Sequence, residues 1–185
     1  MRQVEKGKNM GRREYPRGRA LKKEIERLMR RGEEGDIGKI LSYPPRAVIN
    51  PLFGLLLSTD PSVRWHTIVA MGEVVRQLAE EDMESARVIL RRLMWQLNDE
   101  SGGILRRLMW QLNDESGGIG WGCPEAMGEI LARNRKLAEE FAPIVVSYVR
   151  EDGNFLEYEA LQPGAIWAVG RLAQAWPDLV KGAGV

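Results

Sequence analysis

Residues 63–75 read VRWHTIVAMGEVV, residues 119–131 read IGWGCPEAMGEIL, and residues 161–173 read LQPGAIWAVGRLA. All three carry an Ala–apolar–Gly core, anchored at Gly72, Gly128 and Gly170. The first two also share a tryptophan (Trp65, Trp121) and a Met-Gly-Glu run at 71–73 and 127–129. The anchoring glycines lie 56 and 42 residues apart. The longer interval contains a literal tandem copy: residues 89–103 and 104–118 both read ILRRLMWQLNDESGG. Without one 15-residue copy the first interval is 41, so the two intervals agree within a residue. A period of about 40 residues is that of a two-helix repeat.

Each of these segments follows another helical stretch. Residues 45–57, 83–97 and 136–150 place apolar side chains at i, i+3, i+4 spacing; Ile89, Leu90, Leu93, Met94 and Leu97 share one helix face. Asp60 followed by Pro61 is a helix start, an N-cap with proline at the first helical position. No segment sustains the period-2 alternation of a strand. A two-helix unit cannot bury both faces alone, so successive units stack, and the recurrent glycine lets neighbouring helices approach closely. Residues 19–31 and 36–42 are expected to form a helical cap at the amino-terminal end, and residues 177–181 a short turn over the last pair.

Asp60, Val63, Arg64 and Ala70-Met71-Gly72 together resemble the D-x-x-V-R…A-L-G pattern of the HEAT-like repeats, particularly the short type grouped with phycobilisome-lyase repeats. The second and third units keep the Ala–apolar–Gly element but place Gly120 and Gln162 where the first has Arg64. The resemblance covers about residues 43–176. It implies an all-α, right-handed α-solenoid of about three helix pairs, and a scaffold, assembly factor or binding surface as the function.

The tandem copy adds one helix more than the solenoid has slots for. Fifteen residues of unbroken helix would rotate the chain by about 60° beyond whole turns. Ser101-Gly102-Gly103 is a poor helix interior, so two helices are expected, over 83–98 and 104–113, with a break between them. The surplus apolar face would fold back, pair with another chain or swap domains, which makes a homodimer or domain swap through this element an expectation.

The chain has 185 residues, 27 Lys plus Arg, 26 Asp plus Glu, one His and one Cys. One Cys excludes an intramolecular disulfide, and one Cys with one His leaves no Cys/His zinc cluster and no HExxH site. The net charge of +1 conceals an asymmetry. Residues 1–31 hold 12 basic and four acidic side chains, a surplus of eight that the remaining 154 residues offset with a deficit of seven. Residues 1–18 read as a basic arm ahead of a helical domain spanning 19–185. Such an arm folds back on its acidic body, touches nucleic acid or anionic lipid, or stays solvated. No apolar run approaches the ~18–20 residues that span a bilayer, and the amino terminus lacks a secretory apolar region, so a cytoplasmic location is expected.

Candidate binding residues follow from the repeat architecture. Arg64, Trp65, His66 and Trp121 fall at the start of second helices, where they can line a concave helix face, or else pack between units with Arg64 bonded to nearby carbonyls or Asp60. The segment 151–162 is the longest connection between helices and interleaves Phe155 and Tyr158 with Glu151, Asp152, Glu157 and Glu159; long loops on repeat scaffolds often carry binding. Glu73 and Glu129 occupy equivalent positions, and paired carboxylates can do acid–base work, though repeat equivalence explains them more simply. Cys123 aligns with Thr67 and reads as a small packed residue. There is no Walker loop, no G-x-G-x-x-G, no G-x-S-x-G and no EF-hand spacing in NDESGG, so no cofactor is expected. The expected function is therefore non-catalytic binding of a protein partner on the concave face and the 151–162 loop. The alternative is a nucleic-acid-binding HEAT-like protein that uses Arg12, Arg13, Arg17, Arg19, Lys22 and Lys23, of which a base-excision glycosylase is one form. A lyase-type activity on a chromophore is suggested by the family resemblance only.

Overall fold

The structure, a computed structural model, describes residues 15–98 and 121–183. Among the described residues all regular structure is helical. The helices are α1 (Arg19–Arg31), α2 (Asp36–Leu41), α3 (Pro45–Leu55), α4 (Pro61–Glu81), α5 (Met83–Asn98), α6 (Cys123–Arg133), α7 (Arg135–Ser147), α8 (Gln162–Ala175) and α9 (Pro177–Gly182), with one 3₁₀ turn at Glu159–Leu161. No described helix is long and apolar enough to cross a membrane. The helix expected over 104–113 lies outside the described residues.

Local chemistry sets the helix ends. In α1, Leu21, Ile25, Leu28 and Met29 form a buried stripe, and Gly32 ends it in the left-handed region (φ 64°), its N–H bonded to Leu28 O at 3.0 Å. Asp60 caps α4 by accepting from Ser62 N (2.9 Å) and Val63 N (3.4 Å), with Pro61 as the first helical residue. Asp82 does the same for α5, accepting from Glu84 N and Ser85 N, and Asn134 for α7, accepting from Leu137 N at 3.1 Å. Pro51 in α3 and Pro143 in α7 sit past the first turn, where each removes one intrahelical bond.

Three helices form a central row. α4 packs on α6 and α6 on α8, and each has a preceding helix against it: α3 on α4, α5 on α6, α7 on α8. α1 and α2 close the row at α4, and α9 packs on α7 and α8. Side chains link the flanking helices as well. Arg92 of α5 donates to Asn50 Oδ1 of α3 at 2.8 Å and stacks 3.9 Å above the Phe53 ring, while Arg87 of α5 pairs with Glu140 of α7. The core runs unbroken through the row, from Leu28 and Leu52 through Met71, Leu78, Leu90 and Met127 to Val146 and Leu172.

The glycines of the repeat core behave as close-approach positions. A Cβ on Gly128 would stand 2.7 Å from Ala168 Cα, so α6 and α8 touch backbone to backbone there. A Cβ on Gly72 would stand 3.2 Å from Glu129 Cβ on α6. Gly170 has nothing within 4 Å among the described residues.

The three central helices differ in length, at 21, 11 and 14 residues. Sequence equivalence places Trp121 on a helix, as Trp65 is. The structure instead sets Trp121 in the turn before α6, because Gly122 adopts φ 74° and α6 starts only at Cys123.

Candidate functional site

The caps described above bring the aromatic residues together at the amino-terminal ends of the central helices. Asp60 and Pro61 start α4 early, so Arg64 and Trp65 fall in its first turn. The Trp65 ring meets Trp167 of α8 edge to face, centroids 5.0 Å apart and planes at 87°. Trp65 is still 42% exposed. Arg64 donates from Nη1 to Ser58 O at 3.0 Å and holds its guanidinium carbon 5.9 Å from the Trp121 ring centroid. Gly122 makes room for this, since a Cβ there would lie 3.3 Å from Arg64 Cγ.

Glu125 stands in the first turn of α6, with its carboxyl group against Gly164 of α8; a Cβ on Gly164 would come within 2.7 Å of it. Burial pushes the Glu125 carboxyl above its ordinary value, while its own backbone amide and the Arg64 charge pull weakly the other way. Glu125 Oε2 and Trp121 Nε1 are buried with no hydrogen-bond partner among the described residues.

One helix turn further along, a chain of ionic contacts crosses the row. Arg76 pairs with Glu73 at 3.0 Å on α4, Glu73 with Arg133 of α6 at 2.9 Å, Arg133 with Glu129, and Glu129 with Arg171 of α8 at 2.9 Å. Burial works against the charged form of Glu73, yet the hydrogen bonds from Arg133 and Arg76 leave its carboxyl below the ordinary value. Glu129 is buried between two guanidinium groups. Glu73 is therefore held in its charged form by its two arginines, and Glu129 occupies the equivalent place between Arg133 and Arg171, so both serve as structural cross-links between the central helices.

His66 points away from this face. Its Nδ1–H donates to Met29 O at 2.9 Å, and the ring lies directly under Gly32, so it locks α4 to the end of α1. Cys123 and Thr67 are both buried at equivalent places; the Cys123 thiol donates to Gln96 Oε1 of α5 at 3.1 Å. No group of three His, Cys, Asp or Glu that could hold a metal ion occurs among the described residues.

The loop ahead of α8 is tied down at many points. Leu156 N donates to Tyr148 O at 3.0 Å, Gln162 Nε2 to Leu156 O at 3.1 Å, Asn154 Nδ2 to Ser147 Oγ at 2.9 Å, and Arg150 Nη1 to Ala183 O at 2.7 Å. Leu156 and Leu161 are buried, whereas Phe155 (39% exposed) and Tyr158 (45%) face outward. Asp152 pairs with Arg150, but Glu151, Glu157 and Glu159 are exposed with no cation partner among the described residues. Of the basic residues, Arg17 stacks on Tyr15 at 5.5 Å, and Arg19, Lys22 and Lys23 project from α1 without a carboxylate partner among the described residues. Arg12 and Arg13 lie outside the described residues.

Trp167, Glu125, Arg133 and Arg171 are not apparent as site residues from the sequence motifs. The repeat register contained a signal for two of them: Glu125 and Trp167 stand three residues before Gly128 and Gly170, the place Val69 takes before Gly72. No family model, no curated protein and no solved structure matches the chain.

Proposed function

We propose that the chain is a HEAT-like α-solenoid of about three helix pairs that acts as a cytoplasmic, non-catalytic scaffold or assembly factor. Its partner is a protein, bound on the face of the central helices around Arg64, Trp65 and Trp121 and on the loop carrying Phe155, Glu157, Tyr158 and Glu159. One observation carries this reading. The charged groups of the ionic chain from Arg76 to Arg171 are saturated by one another, while large aromatic side chains on firmly anchored backbone are left partly in water. Burying an exposed aromatic against a partner is a large favourable term, and a rigid platform loses little entropy when it binds. The test is cross-linking capture from the cells that make the protein, with the wild type and a Trp65→Ala/Tyr158→Ala double variant side by side. A partner held by the wild type and lost by the folded variant supports the proposal. Identical capture by both would remove this surface from it.

The cations of α1 without a carboxylate partner support a second reading, in which Arg19, Lys22 and Lys23 contact nucleic acid phosphates together with Arg17 just ahead of the helix and with Arg12 and Arg13. Such binding weakens steeply as salt rises. A duplex or single strand bound at low salt, with a slope that flattens in Arg19→Ala/Lys22→Ala/Lys23→Ala, would favour it; no binding at low salt would end it.

A further inference from the structure

The two ends of the central row are finished differently. At the α4 end, α1 and α2 cover the row, and the outer side of α1 is charged: Lys22, Lys23, Arg27 and Arg30 are exposed on it. At the α8 end, the helix presents a bare face. Gly72 and Gly128 each sit against the next central helix, but the equivalent Gly170 has nothing within 4 Å among the described residues, and Ile166, one turn earlier, is 64% exposed. Phe155 and Tyr158 expose their rings on the loop that leads into this same helix.

Unpaired charge of opposite sign also stands beside the two ends, on the 151–159 loop and on the outer side of α1, although Lys181 of α9 and Glu34 after α1 are likewise exposed without an ion-pair partner among the described residues. Most carboxylates of the described body are paired with arginine, as at Glu24, Asp36, Glu73, Asp82, Glu84, Glu129, Glu140 and Asp178. The acids beside the bare face, Glu151, Glu157 and Glu159, are not, and neither are Arg19, Lys22 and Lys23 on α1. Within one copy these groups form no ion pair, because α1 packs on α3 and α4 while the loop adjoins α8, with α6 between. A second copy of the chain carries the complement.

We propose that the protein self-associates head to tail: the α8 end of one copy, with Ile166, Gly170, Phe155 and Tyr158, receives α1 of the next, and Lys22 and Lys23 meet Glu157 and Glu159. The methylene stems of Lys22 and Lys23 lie over the apolar residues, their ammonium groups reach the carboxylates, and the Phe155 and Tyr158 rings offer their faces to the same cations. The small residue at Gly170 lets the incoming helix approach as Gly128 lets α8 approach α6. A contact of this kind joins two different surfaces, so it does not close at a dimer but adds copies in a row. Its charged part is solvent-accessible, so association is weak and sensitive to salt. This inference shares the Phe155–Glu159 loop with the partner-binding proposal but neither Trp65 nor α1, so a Trp65→Ala loss of partner capture and a Lys22→Glu/Lys23→Glu loss of self-association tell the two apart.

Sedimentation velocity on the full chain, over a hundredfold range of concentration at low and high salt, tests it. The expected result is an average mass that rises past the dimer at low salt and returns to the monomer at high salt. Glu157→Lys/Glu159→Lys and Lys22→Glu/Lys23→Glu should each weaken association at least about tenfold. An equimolar mixture of the two variants should restore it, since each then supplies the charge the other lacks. All four positions are exposed, and circular dichroism checks that both variants remain folded. A monomer throughout at low salt, a mass that stops at the dimer, or two charge-reversed variants that associate like the wild type would each overturn the proposal.

Discussion

A single glycine position shows how residue identity becomes architecture. Gly128 is held by contact, since any Cβ would meet the Ala168 backbone at 2.7 Å and one helix would have to move. Gly128→Ala is expected to destabilise the fold by about 1–3 kcal/mol, the usual cost of overpacking. Gly170 occupies the same repeat position with nothing within 4 Å among the described residues, so helix propensity is what counts there. Gly170→Ala is expected to stabilise by about 0.5–1 kcal/mol. Urea unfolding of both variants at dilute concentration checks the pair, and equal effects would refute the close-approach account. Glu125 makes a second residue-scale case. Its folded carboxyl holds a proton more tightly than free glutamate does, because burial raises it above the ordinary 4.5. Its contribution is complete below the unfolded pKa and is lost as pH rises through the raised folded value. Glu125→Gln, which is neutral at every pH, is therefore expected to be more stable than the wild type at pH 7 by about 1 kcal/mol, and so to melt higher. The advantage should vanish in acid. A Glu125→Gln protein that melts lower at pH 7 would mean that Arg64 outweighs burial.

At the scale of elements, the ionic chain from Arg76 to Arg171 fastens α4, α6 and α8 side by side. Its centre is Glu129, nearly buried, with Arg133 and Arg171 on either side. Replacing it by Ala leaves two partly buried cations facing each other, and a loss of about 2–3 kcal/mol is expected. Glu129→Ala with Arg171→Ala should recover part of that loss, and a double-mutant cycle by thermal unfolding measures the coupling. The helices themselves were largely legible in the sequence. The Asp60-Pro61 start and the helix expected over 19–31 are local signals, and the corresponding elements stand where those signals put them. What escaped is set by contacts distant in sequence. Glu125 is buried because Gly164, 39 residues on, lies against it, and Trp65 finds Trp167 across an intervening helix. His66 reads as a member of the Arg64–Trp65 cluster along the chain, but one helix residue is a turn of about 100°, and that turn delivers it to Met29 and Gly32 instead. Trp121 left the helix because Gly122 takes a left-handed conformation that its repeat equivalent, His66, has no need of.

For the whole molecule, the decisive question is what the literal repeat contributes. The first copy begins inside α5, which places Ala86, Leu90 and Leu93 fully in the core and contacts α6. Every contact described for α5 is thus made without the second copy, and the spacing of Gly72 and Gly128 matches that of Gly128 and Gly170 only when one copy is discounted. Because the copies are identical, deleting 89–103 or 104–118 yields the same 170-residue chain, so the experiment has one product and no ambiguity of register. In that chain the stretch between Asn98 and Trp121 shortens from 22 residues to seven. Seven residues still reach up to about 25 Å, ample for a turn between packed neighbours. If closing this connection costs entropy as loops do, a threefold shortening favours the folded state by about 1 kcal/mol. The shorter protein is therefore expected to keep the helical signal of the described body and to unfold cooperatively at a temperature equal to or above that of the full chain, with circular dichroism and calorimetry as the measurements. A shorter chain that loses helix content beyond its missing residues, or melts several degrees lower, would show that the second copy is part of the packed structure rather than an addition to it.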